Sequence, residues 1–308
     1  MNDTSTLRLG TRGSALALWQ ANWVADRLGE LGFPVEIIHI TTKGDRQAGP
    51  IQNIGAQGLF TKELQRALLD EQIDLAVHSL KDLPTDVVPG LCLGSVPQRA
   101  PVADVLVSPE YPTFESLPEG AIVGTGSLRR QAQLLNARAD LQMRDIRGNV
   151  ETRLSKVREG EYDATILAEA GLRRLGLEEN ITEPLPMSLC MPAIAQGALG
   201  IEVRQDDAST RQRVEQLADP PSQAAAIAER TMLAALKGGC LAPIAAWGRV
   251  EDDTLKLTGR VLDRRGREKL ETTLEALLAE ATDLGRQVAE ELLSQGAAAL
   301  IEESRSGE

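Results

Sequence analysis

The sequence predicts an α/β protein made of two similar halves and completed by a smaller α+β region. Three observations carry that prediction. An apolar strand that ends in a Gly/Ser/Thr turn and runs into a helix occurs twice, at residues 7–14 and 121–127. Later in each half a second apolar run opens on an acid, Asp74-Leu-Ala-Val-His and Asp163-Ala-Thr-Ile-Leu. After Pro220-Pro221 the pattern changes to one Ala-rich helix and then to alternating segments.

In chain order, Leu7 to Gly10 reads as a strand, Thr11-Arg12-Gly13-Ser14 as a turn, and Leu16, Trp19, Trp23 and Leu28 as the apolar face of a helix. A second helix is predicted over 59–69, with Leu64, Ala67 and Leu68 on one side. The second half repeats the plan with a strand at 121–124, the turn Thr125-Gly126-Ser127 and a helix carrying Leu134 and Leu135. Asn149 is placed to cap a further helix whose face is Val150, Leu154 and Val157. Alternating strands and helices favour sheets covered by helices. Pro97, Pro101 and Pro109 mark a first crossing, and Pro184, Pro186 and Pro192 a return. The expected domains are therefore 1–101 with 197–219, then 102–196, then 220–308, with a hinge at the crossings. The Ala-rich helix runs to Lys237 and stops at Gly238-Gly239, 255–262 alternates as in an antiparallel sheet, and 301–308 is expected to fray.

Composition narrows the function. A chain of 308 residues suits two or three compact units. Aromatic residues at 3% leave little for stacking bases, and a net charge of −12 repels nucleic acid and anionic membrane. The start, Met-Asn-Asp-Thr-Ser-Thr, lacks the basic and apolar regions of a signal peptide, so a cytoplasmic location is expected. Three cysteines and two histidines supply neither a disulfide framework nor a histidine-rich site, and no metal is expected. One segment departs from the acidic average. Residues 129–174 hold nine Arg and one Lys against seven acids, a local surplus of three positive charges.

The two Gly/Ser/Thr turns place hydroxyls and backbone N–H groups at helix starts, where the macrodipole favours an anion. Ser14 and Ser127 fit simple caps equally well; the neighbouring Arg12 and Arg129-Arg130 move the balance towards binding. Arg147 and Arg153 flank the helix that Asn149 opens, and Arg173-Arg174 adds another pair, so several guanidiniums could grip carboxylates in fork geometry. Residues 78–84, His-Ser-Leu-Lys-Asp-Leu-Pro, follow a buried strand at the edge where α/β sheets bind ligands. There Asp82 either pairs with a base such as Lys81 or stabilises a cationic intermediate and relays a proton. Cys240 follows the end of a helix, where the dipole disfavours a thiolate, and by composition alone it reads as a structural thiol.

The ordered set Gly-Thr-Arg-Gly-Ser at 10–14, Val-His-Ser-Leu-Lys-Asp-Leu-Pro at 77–84, Val-Gly-Thr-Gly-Ser-Leu-Arg-Arg at 123–130, Arg-Gly-Asn-Val-Glu-Thr-Arg at 147–153, Ala-Gly-Leu-Arg-Arg-Leu-Gly at 170–176, Gln-Gly-Ala-Leu-Gly-Ile-Glu at 196–202 and Gly-Gly-Cys at 238–240 resembles the porphobilinogen deaminase family over nearly the whole chain. The resemblance implies two periplasmic-binding-protein-like domains around a cleft and a smaller third domain bearing the cysteine. It implies a dipyrromethane cofactor attached to Cys240 through a thioether. On that primer four porphobilinogen units are added head to tail with loss of ammonia, through an electrophilic azafulvene, and hydroxymethylbilane is released by hydrolysis.

By the same resemblance Asp82 is the catalytic acid. Arg12, Ser14, Ser79, Lys81, Thr125, Ser127, Arg129, Arg130, Arg147, Arg153 and Arg174 contact cofactor or substrate carboxylates, together with Gly148, Asn149, Ala168 and Gln196. The implied partners are porphobilinogen and the growing polypyrrole, with no nucleic acid and no membrane, and the expected state is a monomer. Gln57 stands where the family commonly has Lys, Pro101-Val102-Ala103-Asp104 replaces an acidic segment, and Leu241-Ala242 follows the cysteine, so closure and cofactor loading are expected to differ. Gly126 and Glu169 also differ from the commoner residues. The competing reading is a non-catalytic small-anion-binding protein of the same two-domain architecture. Phosphoryl transfer lacks its Gly-x-x-x-x-Gly-Lys-Ser/Thr loop.

Overall fold

The computed structural model describes residues 5–40, 61–238 and 242–306. Gln57, the predicted helix start at Leu59, Gly239, Cys240 and Leu241 lie outside the described residues. The chain divides into two compact units, residues 1–99 with 198–223 and residues 100–197 with 224–308.

In the first unit, β1 (Leu7–Thr11), α1 (Ala15–Glu30), β2 (Val35–His39), α2 (Lys62–Leu69), β3 (Leu75–Ser79) and β4 (Leu91–Ser95) come before the first crossing. In the second, β5 (Asp104–Val107), β6 (Ile122–Gly124), α3 (Leu128–Ala137), β7 (Gln142–Arg144), α4 (Val150–Arg158), β8 (Ala164–Ala168), α5 (Glu169–Arg174) and β9 (Glu183–Pro184) follow. The chain then returns to the first unit as β10 (Leu199–Arg204) and α6 (Ala208–Glu215). The sheets run β2-β1-β3-β10-β4 and β7-β6-β8-β5-β9. In both, three parallel strands are followed by an antiparallel strand supplied by the segment that has just crossed. The repeat visible in the sequence is therefore a repeat of topology.

Local chemistry explains the elements. The α1 helix begins where Ser14 Oγ accepts from Ala17 N, and α4 begins where Asn149 Oδ1 accepts from Thr152 N. Leu64, Ala67 and Leu68 are buried, as their spacing predicts. In α1 the buried face is Gln20, Ala21, Val24 and Leu28, whereas Trp19 remains 37% exposed. The apolar spacing identified the helix but placed its face one step off. Small Ala21 lets the helix approach the sheet closely, and Gln20 is kept inside by a hydrogen bond to β3.

The remainder of the second unit is α7 (Pro220–Leu236), an antiparallel sheet of β11 (Ile244–Glu251), β12 (Thr254–Leu262) and β13 (Lys269–Leu277), and helices α8 (Ala281–Ser294) and α9 (Ala297–Ser306). The C-terminus does not fray where expected: α9 runs to Ser306 because Leu300 and Ile301 are buried. Gly197 has φ +82, and a Cβ there would lie 2.5 Å from the Ala100 carbonyl oxygen, so only glycine fits this close approach of the two crossing segments.

Glu229 of α7 is wholly buried and ties three parts of this unit together. Its carboxylate accepts from Ala195 N at 2.5 Å and from Gly248 N at 2.7 Å. Glu229→Ala orphans both donors, at about 1–3 kcal/mol each. Urea denaturation is expected to show a loss in that range or above it; a change within about 0.5 kcal/mol, as at an ordinary surface site, would contradict this role.

Candidate active site

In the first unit the carboxyl ends of parallel β1 and β3 face the starts of α1 and α2. Arg12 follows β1, Ser14 caps α1, and Ser79 ends β3 before a 3-10 turn over Leu80–Asp82. Gln20 donates from Nε2 to Ser79 Oγ at 2.7 Å and so fixes that hydroxyl. Arg12, Ser14, Gln20, His78, Ser79 and Asp82 all line a cavity of about 100 Å³. Asp82 is exposed and has no ion pair among the described residues, so its pairing with Lys81 is not formed. Lys81 is half-buried and does not line the cavity. One guanidinium and several hydroxyls suit an anion here, while the free carboxylate of Asp82 suits positive charge.

In the second unit the corresponding turn is built differently. Ser127 N donates to Thr125 Oγ1 at 3.2 Å, and the Ser127 hydroxyl does not cap α3. Arg129 and Arg130, in the first turn of α3, are buried on a single carboxylate. Arg129 Nη2 lies 2.7 Å from Asp104 Oδ2, and Arg130 Nη2 lies 2.6 Å from Oδ1. Arg130 Nη1 also donates to the Ile166 carbonyl at 2.8 Å, and Gln196 Nε2 donates to Asp104 Oδ1 at 2.9 Å and to the Val102 carbonyl at 2.8 Å. Asp104 has no exposed surface. Burial pushes its carboxyl up, but the two guanidiniums outweigh that and hold it well below the usual carboxylate range.

Two further cations of this unit donate to backbone carbonyls. Arg174, at the end of α5, donates from Nη2 to the Gly197 carbonyl at 2.7 Å, and burial lowers its pKa to about 10. Arg153 donates from Nε to the Gly148 carbonyl at 2.9 Å; burial first and the charge of Arg130 second push its pKa down. Gly148 has φ +117 and a Cβ there would lie 2.6 Å from Thr152 Cγ2, which explains glycine beside the cap Asn149. Arg173 does not act with Arg174, because it is spent on Glu169 at 2.7 Å one turn back. Arg147 is exposed, 3.9 Å from Asp145, and Ala168 stands at the N-cap of α5 without a capping side chain.

Four guanidiniums, those of Arg129, Arg130, Arg153 and Arg174, thus belong to this unit with one buried carboxylate between the first two. Two buried guanidiniums on one carboxylate keep a net positive charge, which suits an incoming anion. Sequence reasoning missed Gln20 and Asp104. Both left a signal, since a polar residue inside an apolar helix face or at the head of an apolar strand needs a buried partner. Among the described residues no group of three His, Cys, Asp or Glu could hold a metal ion, and no helix is long and apolar enough to cross a membrane.

Comparison with known proteins gives two family matches. Residues 7–212 match the porphobilinogen deaminase dipyromethane cofactor binding domain, and residues 223–294 match the porphobilinogen deaminase C-terminal domain. Porphobilinogen deaminase of Syntrophotalea carbinolica is 47% identical over 298 residues, covering 96% of this chain and 95% of that protein. The protein of the same name from Pelotomaculum thermopropionicum is 46% identical over 305 residues, covering 98% of each. Among solved structures, lipoprotein Tp32 from Treponema pallidum is similar with a TM-score of 0.43 at 13% identity, over 69% of this chain and 90% of that one. With matched segments spanning both units and the C-terminal sheet, the chain belongs to the porphobilinogen deaminase family.

Proposed function

We propose that the chain is a transferase that condenses four porphobilinogen molecules head to tail, losing one ammonia at each addition, and releases hydroxymethylbilane by hydrolysis. The observation that carries this reading is the surplus of guanidinium charge that Arg129 and Arg130 keep on the single buried carboxylate of Asp104, because every unit of such a chain brings an acetate and a propionate. The same surplus fits a dipyrromethane cofactor, itself rich in carboxylates. Joined to Cys240 by a thioether, the cofactor supplies the primer on which the chain is built.

In this reading Arg129, Arg130, Arg153 and Arg174 hold carboxylates, with Arg147 at the exposed edge and Thr125, Ser127, Gly148, Asn149, Ala168 and Gln196 shaping the surroundings. Arg12, Ser14, Ser79 and Lys81 position the incoming monopyrrole. Asp82 offsets the positive charge that builds up as ammonia departs. The division into domains 1–101 with 197–219, 102–196 and 220–308 belongs to the same proposal, as do a monomeric state and a cytoplasmic location.

Intact-mass spectrometry tests it. After incubation with porphobilinogen the protein is expected to carry a covalent dipyrrole and to make hydroxymethylbilane. Cys240→Ser is expected to show the bare polypeptide mass and no product. A wild-type protein that stays unmodified and inactive refutes the assignment, and supports the non-catalytic anion-binding alternative if it still binds polycarboxylates.

A further inference from the structure

The first unit contains a buried polar trio, Gln65, His78 and Glu202. Gln65 Nε2 donates to Glu202 Oε1 at 2.9 Å, and His78 Nε2 lies 3.0 Å from Glu202 Oε2. All three side chains are buried, on the sheet face covered by α2, where Leu64, Leu68 and Ile73 form an otherwise apolar cluster. Placing a carboxylate there has a desolvation penalty of several kcal/mol that an apolar replacement would avoid. The arrangement leaves one group uncommitted. Both oxygens of Glu202 and Nε2 of His78 are engaged, so Nε2 carries the proton shared with the carboxylate and Nδ1 is the ring nitrogen open to a ligand.

His78 lines the cavity of about 100 Å³ that Asp82 also lines. Thr61, just before α2, lines it too, is 3% exposed, and its Oγ1 has no hydrogen-bond partner among the described residues. An unsatisfied buried hydroxyl is destabilising and is relieved by a hydrogen-bonding guest. The space takes a few water-sized molecules, whereas pockets that enclose a whole organic ligand are roughly 300–1,000 Å³. It admits an amine nitrogen.

We propose that His78, held in one orientation by Glu202 and Gln65, is a proton-transfer group of the condensation, and that the cavity it shares with Thr61 and Asp82 receives the released ammonia. This rests on the function proposed above. The incoming monopyrrole arrives with its aminomethyl group as an ammonium. The carbon–nitrogen bond breaks and its electron pair leaves with ammonia. The electron-poor methylene carbon then bonds to the unsubstituted α-carbon of a bound pyrrole. That carbon loses its hydrogen as a proton and the C–H pair restores the aromatic ring. The proton passes to His78 Nδ1, and ammonia takes it from there and departs as ammonium, so that His78 and the total charge are restored.

Among the described residues, the charged groups that bear on the ring are Glu202 from β10, Arg12 beyond β1 and Asp82 beyond β3. The α1 helix presents Ser14 and Gln20 to the cavity and α2 presents Leu64, so neither helix adds a charge there.

The test is product formation by cofactor-loaded protein as a function of pH. His78→Gln keeps an amide N–H for Glu202 and cannot titrate. It is expected to lower kcat by about 100-fold or more, with KM within about threefold of wild type, and to alter the pH profile of kcat. A His78→Gln protein with kcat within about threefold of wild type, or with an unchanged pH profile, overturns the proposal. Thr61→Val, nearly isosteric, tests the ammonia site without touching the trio. Inhibition of wild type by ammonium chloride is expected to weaken several-fold in this variant, and equal inhibition overturns that part. A wild type that makes no hydroxymethylbilane refutes the activity itself, an outcome the wild-type arm reports separately.

Discussion

Asp82→Asn is expected to lower the rate of hydroxymethylbilane formation by about 10²–10⁴-fold while the protein still folds and still carries its cofactor. The substitution preserves shape and removes one negative charge. Asp82 is exposed, in the turn after β3, and has no ion pair among the described residues, so little stability depends on its charge. A change within about 0.5 kcal/mol is expected on unfolding. The rate effect comes from the reaction, where departure of ammonia leaves a cation beside the only carboxylate among the described residues that line this cavity. Single-turnover product formation and intact mass, measured on one preparation, separate chemistry from loading. Near-normal turnover would remove Asp82 from its role, and absence of the dipyrrole mass would move that role to cofactor assembly.

The position of Asp82 was legible because strand, turn and motif lie within eight consecutive residues, and local sequence suffices to put them at a sheet edge. The same holds for the repeated strand-turn-helix plan, which the two sheets reproduce strand for strand. What sequence left open depends on residues far apart in the chain. Ser14 and Ser127 read alike, yet the Ser14 hydroxyl caps its helix and the Ser127 hydroxyl does not, while Thr125 Oγ1 accepts from the Ser127 N–H. Arg173 and Arg174 are adjacent, yet one is spent on Glu169 and the other is buried against Gly197, since consecutive helical positions point about 100° apart. Three acids, Asp74, Asp104 and Asp163, each head an apolar strand, but their partners differ. Asp74 pairs with Arg8 and Arg204, Asp163 accepts from Ile122 N, and Asp104 holds Arg129 and Arg130. The pattern announces that a partner exists without naming it.

Of those three acids, Asp104 is the one whose loss is expected to matter most. Asp104→Ala leaves Arg129 and Arg130 buried without this counter-charge and removes one acceptor from the Gln196 amide, and removal of one member of such a cluster costs about 3–5 kcal/mol. Urea denaturation at neutral pH is expected to show a loss of that size, and a loss below about 1 kcal/mol would mean that water or rearrangement satisfies both guanidiniums. The pH dependence gives an independent sign. Because the folded-state pKa of Asp104 is depressed, its contribution is fully present above the unfolded carboxyl value, about 3.9, and is lost as pH falls through the lower folded value. The stability gap between wild type and Asp104→Asn should therefore be constant near neutrality and shrink on acidification. Function should follow the same geometry. With Asp104 gone the two arginines are no longer held to one site, so binding of a polycarboxylate such as citrate should weaken even though the local positive charge has risen by one. Tighter binding in the variant would show that charge alone, and not its placement by Asp104, governs recognition.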